Sequence, residues 1–427
     1  MVVQENRIST LLDPFQRFGV HLGLERIKKL LADLGNPHHQ VPIIHVTGTN
    51  GKGSVCAYLS SILTEAGYRV GRYTSPHLVD WTERIQINEQ DIANNALVEI
   101  LQEIQSAIAT NTPSPTQFEV ITAAAWVYFA RSQVDLAVIE VGLGGRLDAT
   151  NVKDSSLVSV ITSLSREHWQ RLGPTLADIA QEKAGIIKAN CPVIVGQLPA
   201  SVKEVFKAKA EELNAPMTTV EPATEVKITG ANQITWANYQ DLQYPLPLLG
   251  QFQLSNSAIA IATIKALQQQ GWLIPELAIQ TGMNKTRWRG RLQWTTWNDH
   301  PLLVDGAHNP AAAIALRQYV DTLNQPVTWV MGMLSTKDHE DIFEALLKPH
   351  DELHLVPVPG HSSADPEELA ALAIQVCPRL NNCQTHQDVA QALDVAIAQS
   401  NQDSDRLTIL CGSLYLIGSI SCLKQNV

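Results

Sequence analysis

Residues 43–63, IIHVTGTNGKGSVCAYLSSIL, constrain this chain more than any other segment. A short apolar run, 43–46, stops at a glycine-rich turn, Gly48-Thr49-Asn50-Gly51-Lys52-Gly53-Ser54. An amphipathic helical pattern follows, with Val55, Leu59, Ile62 and Leu63 on one side. Strand, glycine turn and helix in that order aim backbone N–H groups at a phosphate. The helix terminus alone contributes only about 0.3–1 kcal/mol, so Lys52 and a metal ion must supply most of the charge compensation. The spelling departs from the strict phosphate-loop pattern. Val46 stands where the first glycine would fall, and Gly53 replaces the Ser or Thr that usually follows the lysine. A metal-binding hydroxyl must then come from elsewhere. The alternative is a glycine-rich turn with no nucleotide role.

At 427 residues the chain exceeds one ordinary core, so two domains are expected. With 45% hydrophobic and 17% charged residues it belongs with folded proteins. A net charge of −11 argues against nucleic acid or an anionic membrane as the main partner, while leaving room for a local basic site. Cys56, Cys191, Cys377, Cys383, Cys411 and Cys422 are scattered, without CxxC or metal spacing, and read as reduced thiols. The start, MVVQENRISTLLDPF, lacks a basic-then-apolar signal, and no run approaches the ~18 apolar residues of a membrane span. A soluble, cytoplasmic protein is expected.

Along the chain, helical spacing in pieces of 7–34 ends at Gly35-Asn36-Pro37. Strands are expected at 69–73, 134–141 and 157–161, and helices at 91–109, 118–131, 175–188 and 254–270. Residues 226–236 read as a hairpin turning at Gly230-Ala231-Asn232-Gln233. Strand and helix alternate again from Pro301, with strands near 302–304, 327–331, 352–356 and 407–411. The expected fold class is α/β: a P-loop-type, mostly parallel, doubly wound sheet domain over 1–286, then a smaller Rossmann-like α/β domain over 287–427. The polar, basic stretch 284–291 marks the junction.

Open α/β sheets bind ligands at the carboxyl ends of their strands, and several polar groups fall there. Glu140 ends the apolar run VDLAVIE, where an unpaired carboxylate would be costly. Magnesium, which favours carboxylate and phosphate oxygens, answers that cost; an N-cap or loop salt bridge is the plainer reading. Ser75, fixed by Pro76, offers the hydroxyl that Gly53 cannot, although Ser-Pro turns are common. His168 follows the 157–161 strand, and Lys183 lies on the next helix. Alone, each reads as an ordinary surface or structural residue. Trp288, Trp294 and Trp297 cluster at the junction and read as interdomain core rather than a ring-stacking site.

Taken together, HLGLERI, GTNGKGS, TSPHL, EVGLGGRLDATN, EH…LGPT…IAQEKAGIIK, GRLQ, DGAHNP and GSLYLIG resemble the folylpolyglutamate synthase/dihydrofolate synthase family of Mur-type amide ligases, in order from about 21 to 418. The resemblance implies an ATP-dependent carboxylate–amine ligase. Asn50, Gly51, Lys52, Gly53 and Ser54 would hold the ATP phosphates. Ser75 and Glu140 would ligate one Mg²⁺, with His168 and Glu140 near a second. Lys183 matches a lysine carbamylated in the family; CO₂ would turn an ammonium repelled by the metals into an anion. Asn256 would contact adenine, and Arg291 and Asp305 the nucleotide, with His308 orienting the DGAHNP loop. Leu147, Asp148 and Ala149 match the pterin-contacting region, His21, Leu22 and Gly23 a weaker part of it, and Lys337 the glutamate or glutamyl tail. Departures are Glu167 and Trp169 around the metal histidine, and Thr336 before Lys337.

The implied mechanism phosphorylates the substrate carboxylate at the ATP γ-phosphate, and the α-amine of L-glutamate then displaces phosphate. Excluding water from the acyl phosphate would favour a site covered by a second domain. The expected partners are small molecules only, ATP, L-glutamate and dihydropteroate or a folate, with a monomeric protein. A cell-wall Mur ligase would be expected to carry a larger segment before the glycine turn than the 47 residues preceding Gly48. A nucleotide-binding regulator without catalysis is the rival from another class.

Overall fold

The computed structural model describes residues 2–16, 22–108, 113–226, 235–400 and 406–420. The chain forms two compact units, one of 1–247 with 253–287, the other of 248–252 with 288–427.

The first unit holds β1 (Ile43–Thr47), β2 (Val70–Tyr73), β3 (Ile85–Ile87), β4 (Gln90–Asp91), β5 (Leu136–Glu140), β6 (Val158–Ile161), β7 (Val193–Val195) and β8 (Met217–Thr219) in one sheet of order β4-β3-β2-β5-β1-β6-β7-β8. β2 through β8 in that order pair in parallel, and β3 and β4 add an antiparallel edge. The central strands are buried on both faces, which is why they read as continuous apolar runs. One face carries two cores side by side, Leu12, Ile27, Leu31, Ile121 and Phe129 over Ile43, Ala137 and Ile139, and Ile179, Val202 and Phe206 over Ile161, Val193 and Val195. A small antiparallel sheet, β9 (Thr224–Val226), β10 (Thr235–Tyr239) and β11 (Leu242–Leu246), follows. The arms of the expected hairpin are therefore paired; its turn, 227–234, lies outside the described residues.

The second unit has β12 (Gln293–Trp297), β13 (His300–Asp305), β14 (Val327–Met331), β15 (Glu352–Leu355), β16 (Asn382–Thr385) and β17 (Leu407–Cys411), in the order β12-β13-β17-β14-β15-β16. All pairs are parallel except β12–β13.

Three expectations need correction. The helix Lys52–Glu65 is buried on every side from Ser54 to Leu63, not amphipathic, because the helix Glu276–Lys285 covers its outer face. Gly282 makes that contact: a Cβ there would overlap the Ile62 backbone, and its carbonyl accepts from Ser61 Oγ at 2.7 Å. The helix placed at 175–188 spans only Leu176–Ala184 and is capped at Gly185. Trp294 is not core, being 40% exposed, and the half-buried Trp297 donates to Asp394 within its own unit. An alternating strand with two ring-bearing residues three apart puts them on opposite faces. The polar strand β16 (NCQT) escaped the sequence reading because an edge strand needs no apolar run. Among the described residues no helix is long and apolar enough to cross a membrane.

Candidate active site

β1 lies between β5 and β6, with Val46 level with Glu140 and Val160. Its carboxyl end passes into the glycine turn, which hangs on the segment after β6. Thr49 N donates to Ser163 O at 2.9 Å and Asn50 N to Ser163 Oγ at 3.0 Å. The hydroxyls of Thr162 and Ser163 both donate to Asn50 O, at 2.6 and 3.0 Å. Gly48 leaves room for this, since a Cβ there would overlap the Thr162 hydroxyl. Lys52 folds back over the turn, its Nζ donating to Gly48 O and Thr49 O, each at 3.0 Å.

Gly51 caps the helix that Lys52 begins, in the left-handed region at φ 85°. Asn256, buried on the helix Phe252–Gln269, presses its side-chain amide against Gly51. Asn256 Nδ2 donates to Gln253 Oε1 at 3.0 Å, and Gln253 reaches on to Ser54 Oγ and Tyr58 OH, each at 3.4 Å. Gln253, fully buried one helical turn before Asn256, is thus part of the turn's support. Sequence reasoning passed over it, although the three-residue spacing on one helix was the available signal.

Glu140 ends β5 next to this turn, buried, and its Oε2 accepts from Ser75 N at 3.0 Å. β2 supplies Ser75 because it pairs with β5 on the far side from β1. A single buried carboxylate beside a serine suits a hard cation that keeps water and phosphate oxygens as its other ligands. Among the described residues no group of three His, Cys, Asp or Glu side chains could hold a metal by itself.

Thr175 and Asp178 form a capping box that starts the helix carrying Lys183. The loop after β5 is packed onto that helix: Arg146 N donates to Glu182 O at 2.7 Å, and Asn151 Nδ2 to Gly185 O at 3.1 Å. Lys183 is consequently buried, and its pKa falls to about 7, first through burial and then through the like charge of Lys52, opposed by Glu167 and Asp148. His168 takes a left-handed backbone at the start of the short helix Trp169–Leu172, half-exposed, with Nε2 3.7 Å from Glu167 Oε1.

Asp148 serves its own loop. Its Oδ2 accepts from Leu143 N at 2.8 Å and its Oδ1 from Thr150 Oγ1 at 2.5 Å, while burial raises its pKa. Thr150 Oγ1 also meets His45 Nε2 at 2.9 Å. Gly23 N donates to Leu147 O at 3.3 Å, joining two of the segments assigned to the acceptor; Leu22 is half-buried and Ala149 buried. His21 lies outside the described residues.

In the second unit, Asp305 ends β13 beside the carboxyl end of β17. Its Oδ2 accepts from Leu292 N and its Oδ1 from Ala307 N, both at 2.8 Å. Burial raises its pKa, and the neighbouring Arg291 and His308 oppose that rise. Arg291 lies against Gly306, whose missing side chain makes the space, and His308 Nδ1 meets Gly306 O at 2.7 Å. Lys337 is half-buried on the loop after β14, its N bonded to Leu334 O at 3.2 Å. Arg291, Asp305 and His308 are thus one cluster.

The Mur ligase middle domain family matches residues 46–264, and the dihydrofolate synthetase C-terminal domain family matches 290–425. Dihydrofolate synthetase of Saccharomyces cerevisiae is 36% identical over 421 residues, covering 94% of this chain and 97% of that protein. Folylpolyglutamate synthase of Mycobacterium tuberculosis, complexed with ADP and AMPPCP, superposes with a TM-score of 0.87 at 30% identity, covering 98% and 97% of the two chains. FolC of Escherichia coli in complex with DHPP and ADP gives 0.83 at 32% identity, covering 98% of each. A phosphate-type turn braced by Asn256, a buried carboxylate and lysine beside it, and likeness along nearly the whole length lead to one conclusion: this chain belongs to the folylpolyglutamate synthase/dihydrofolate synthase family of Mur-type ligases.

Proposed function

We propose that this chain is an ATP-dependent ligase that joins L-glutamate to dihydropteroate and to the glutamyl tail of folates through an acyl phosphate. The observation that carries the reading is the Gly48–Lys52 turn with Glu140, Ser75 and Lys183 gathered around it. Names of relatives support both acceptors, one being a dihydrofolate synthetase and another a folylpolyglutamate synthase.

In this reading the backbone from Asn50 to Ser54 cradles the ATP phosphates. Lys52 exchanges its loop carbonyls for phosphate oxygens and offsets charge as the γ-phosphoryl moves to the substrate carboxylate. Magnesium, when bound, adds positive charge at the phosphates; Ser75 and Glu140 would hold one ion, and His168 with Glu140 a second. Lys183, whose amine is made readily neutral by burial, takes up CO₂ and faces that charge as a carbamate. Asn256 contacts adenine, Arg291 and Asp305 bind the nucleotide, and His308 holds their loop. Leu22, Gly23, Leu147 and Ala149 line the acceptor region, with Asp148 shaping the loop, and Lys337 meets the incoming glutamate or the tail. The described cysteines are free, in keeping with a reducing cytoplasm.

The test is phosphate release with ATP, Mg²⁺ and L-glutamate, comparing dihydropteroate, tetrahydrofolate and a muramoyl nucleotide as acceptors. Glutamyl product is expected from the first two. Turnover only with the muramoyl nucleotide, or nucleotide binding without product, overturns the reading. Lys52→Ala should abolish turnover with the fold intact.

A further inference from the structure

The strand order β1-β6-β7 brings three segments together at the amino-terminal edge of the sheet, opposite the glycine turn. β1 separates the two edges by five residues, a span of about 16 Å. His38 and His39 occupy the turn Pro37–Gln40 before β1, Lys153 and Asp154 precede β6, and Lys188 precedes β7. Lys28 is exposed on the helix Glu25–Asp33, which leads into that turn.

The geometry of this corner is tight. Lys153 Nζ donates to His38 O and Val41 O, each at 2.8 Å, which pins the ammonium at the mouth of the edge. The His38 and His39 rings lie 4.2 Å apart, and His38 Nδ1 is buried with no hydrogen-bond partner among the described residues. Lys28, Lys153 and His39 all disfavour a proton on His38, and Lys28 also disfavours one on Lys188. Asp154 is the acid opposing them at His38, Lys153 and Lys188. Among the described residues, Asp154 is the carboxylate set against Lys153 and Lys188 at this corner, on a chain whose net charge is −11. Like charges gathered at one edge raise the free energy of the folded state, and a counter-charge lowers it.

We infer that this edge is a second binding site, distinct from the phosphate turn, for a small anion carrying two or more negative charges. Two chemistries share that character, a phosphate group and a short polycarboxylate. Lys28, Lys153 and Lys188 supply the charge, and His39 can add a ring N–H. The inference does not rest on which acceptor the enzyme glutamylates.

Calorimetric titration of the full chain, with Mg²⁺-ADP saturating the phosphate turn, tests it at low ionic strength. Inorganic phosphate, pyrophosphate and tri-γ-glutamate are the probes. At least one is expected to bind the wild type, with an affinity that falls as salt rises. Phosphate or pyrophosphate binding marks the phosphate group, tri-γ-glutamate binding the polycarboxylate, and either supports the site. Lys28→Gln/Lys188→Gln should weaken binding about tenfold or more, a change of about 1.4 kcal/mol. Asp154→Asn, which removes the one competing carboxylate from an exposed position, should tighten it, and this variant keeps the test sound if the lysine pair disturbs folding. No heat once ADP is bound, or equal affinity in all three proteins, overturns the inference.

Discussion

The side-chain amide of Asn256 occupies the space where a Cβ on Gly51 would have to stand. A residue 205 positions downstream therefore sets the size limit on the glycine that opens the phosphate helix. The turn has its shape because two constraints coincide there, the left-handed backbone at φ 85° and the packed amide.

Gly51→Ala violates both constraints. Left-handed backbone costs a non-glycine residue about 1–2 kcal/mol, and Asn256 must move besides. The variant should melt a few degrees lower and bind ADP at least tenfold more weakly, as read by calorimetry. Wild-type affinity for ADP would show that the amide does not shape the turn.

Gln253→Leu keeps the volume of a buried side chain but removes the acceptor for Asn256 Nδ2 and the link to Ser54. Losing a buried partner costs about 1–3 kcal/mol. With Asn256 no longer oriented, KM for ATP should rise more than kcat falls. A pure loss of stability with unchanged KM would mean that Gln253 only fills space.

Lys183→Met tests the buried amine. Folding lowers its pKa from the ordinary 10.5 to about 7, so across that window the unfolded chain holds a proton that the folded chain has shed. Stability then rises with pH through the window, and the full cost of the buried charge is present below it. In CO₂-free buffer the methionine variant should melt above the wild type at pH 6, the gap narrowing towards pH 10 in paired thermal melts. Catalysis should be lost at every pH, and regained in part by Lys183→Ala supplied with a short carboxylic acid. A variant less stable at pH 6 would refute the charge penalty.

Asp305→Ala strips the acceptor from two buried backbone amides, Leu292 N and Ala307 N. A loss of about 2–6 kcal/mol is expected from two such groups, measured as a lower urea midpoint, with ATP turnover abolished. Asp305→Asn should recover part of the stability and little of the activity, because it keeps one acceptor but not the charge beside Arg291.

Much of this was open to inspection in the residues themselves. Apolar runs such as IIHV and LAVIE were legible as buried strands, and their alternation with helical segments as a parallel sheet. Glu140 and Ser75 were legible as strand-end groups because parallel sheets deliver their carboxyl ends to one edge, whereas Asp305 stood out only through the resemblance of DGAHNP to the family. Local pattern determined those points, since periodicity, caps and glycine turns depend only on neighbours in the chain.

What pattern could not carry is contact across sequence distance. Gln253 behind Ser54, Asn256 against Gly51, and the lowering of Lys183 by burial and then by Lys52 all depend on which elements pack together. The burial of the Lys52–Glu65 helix on its outer side was decided by Gly282, and the basic corner exists only because β1, β6 and β7 are neighbours in the sheet. Electrostatic shifts and steric limits act through space over a few ångströms, and only the tertiary structure says which residues share that space.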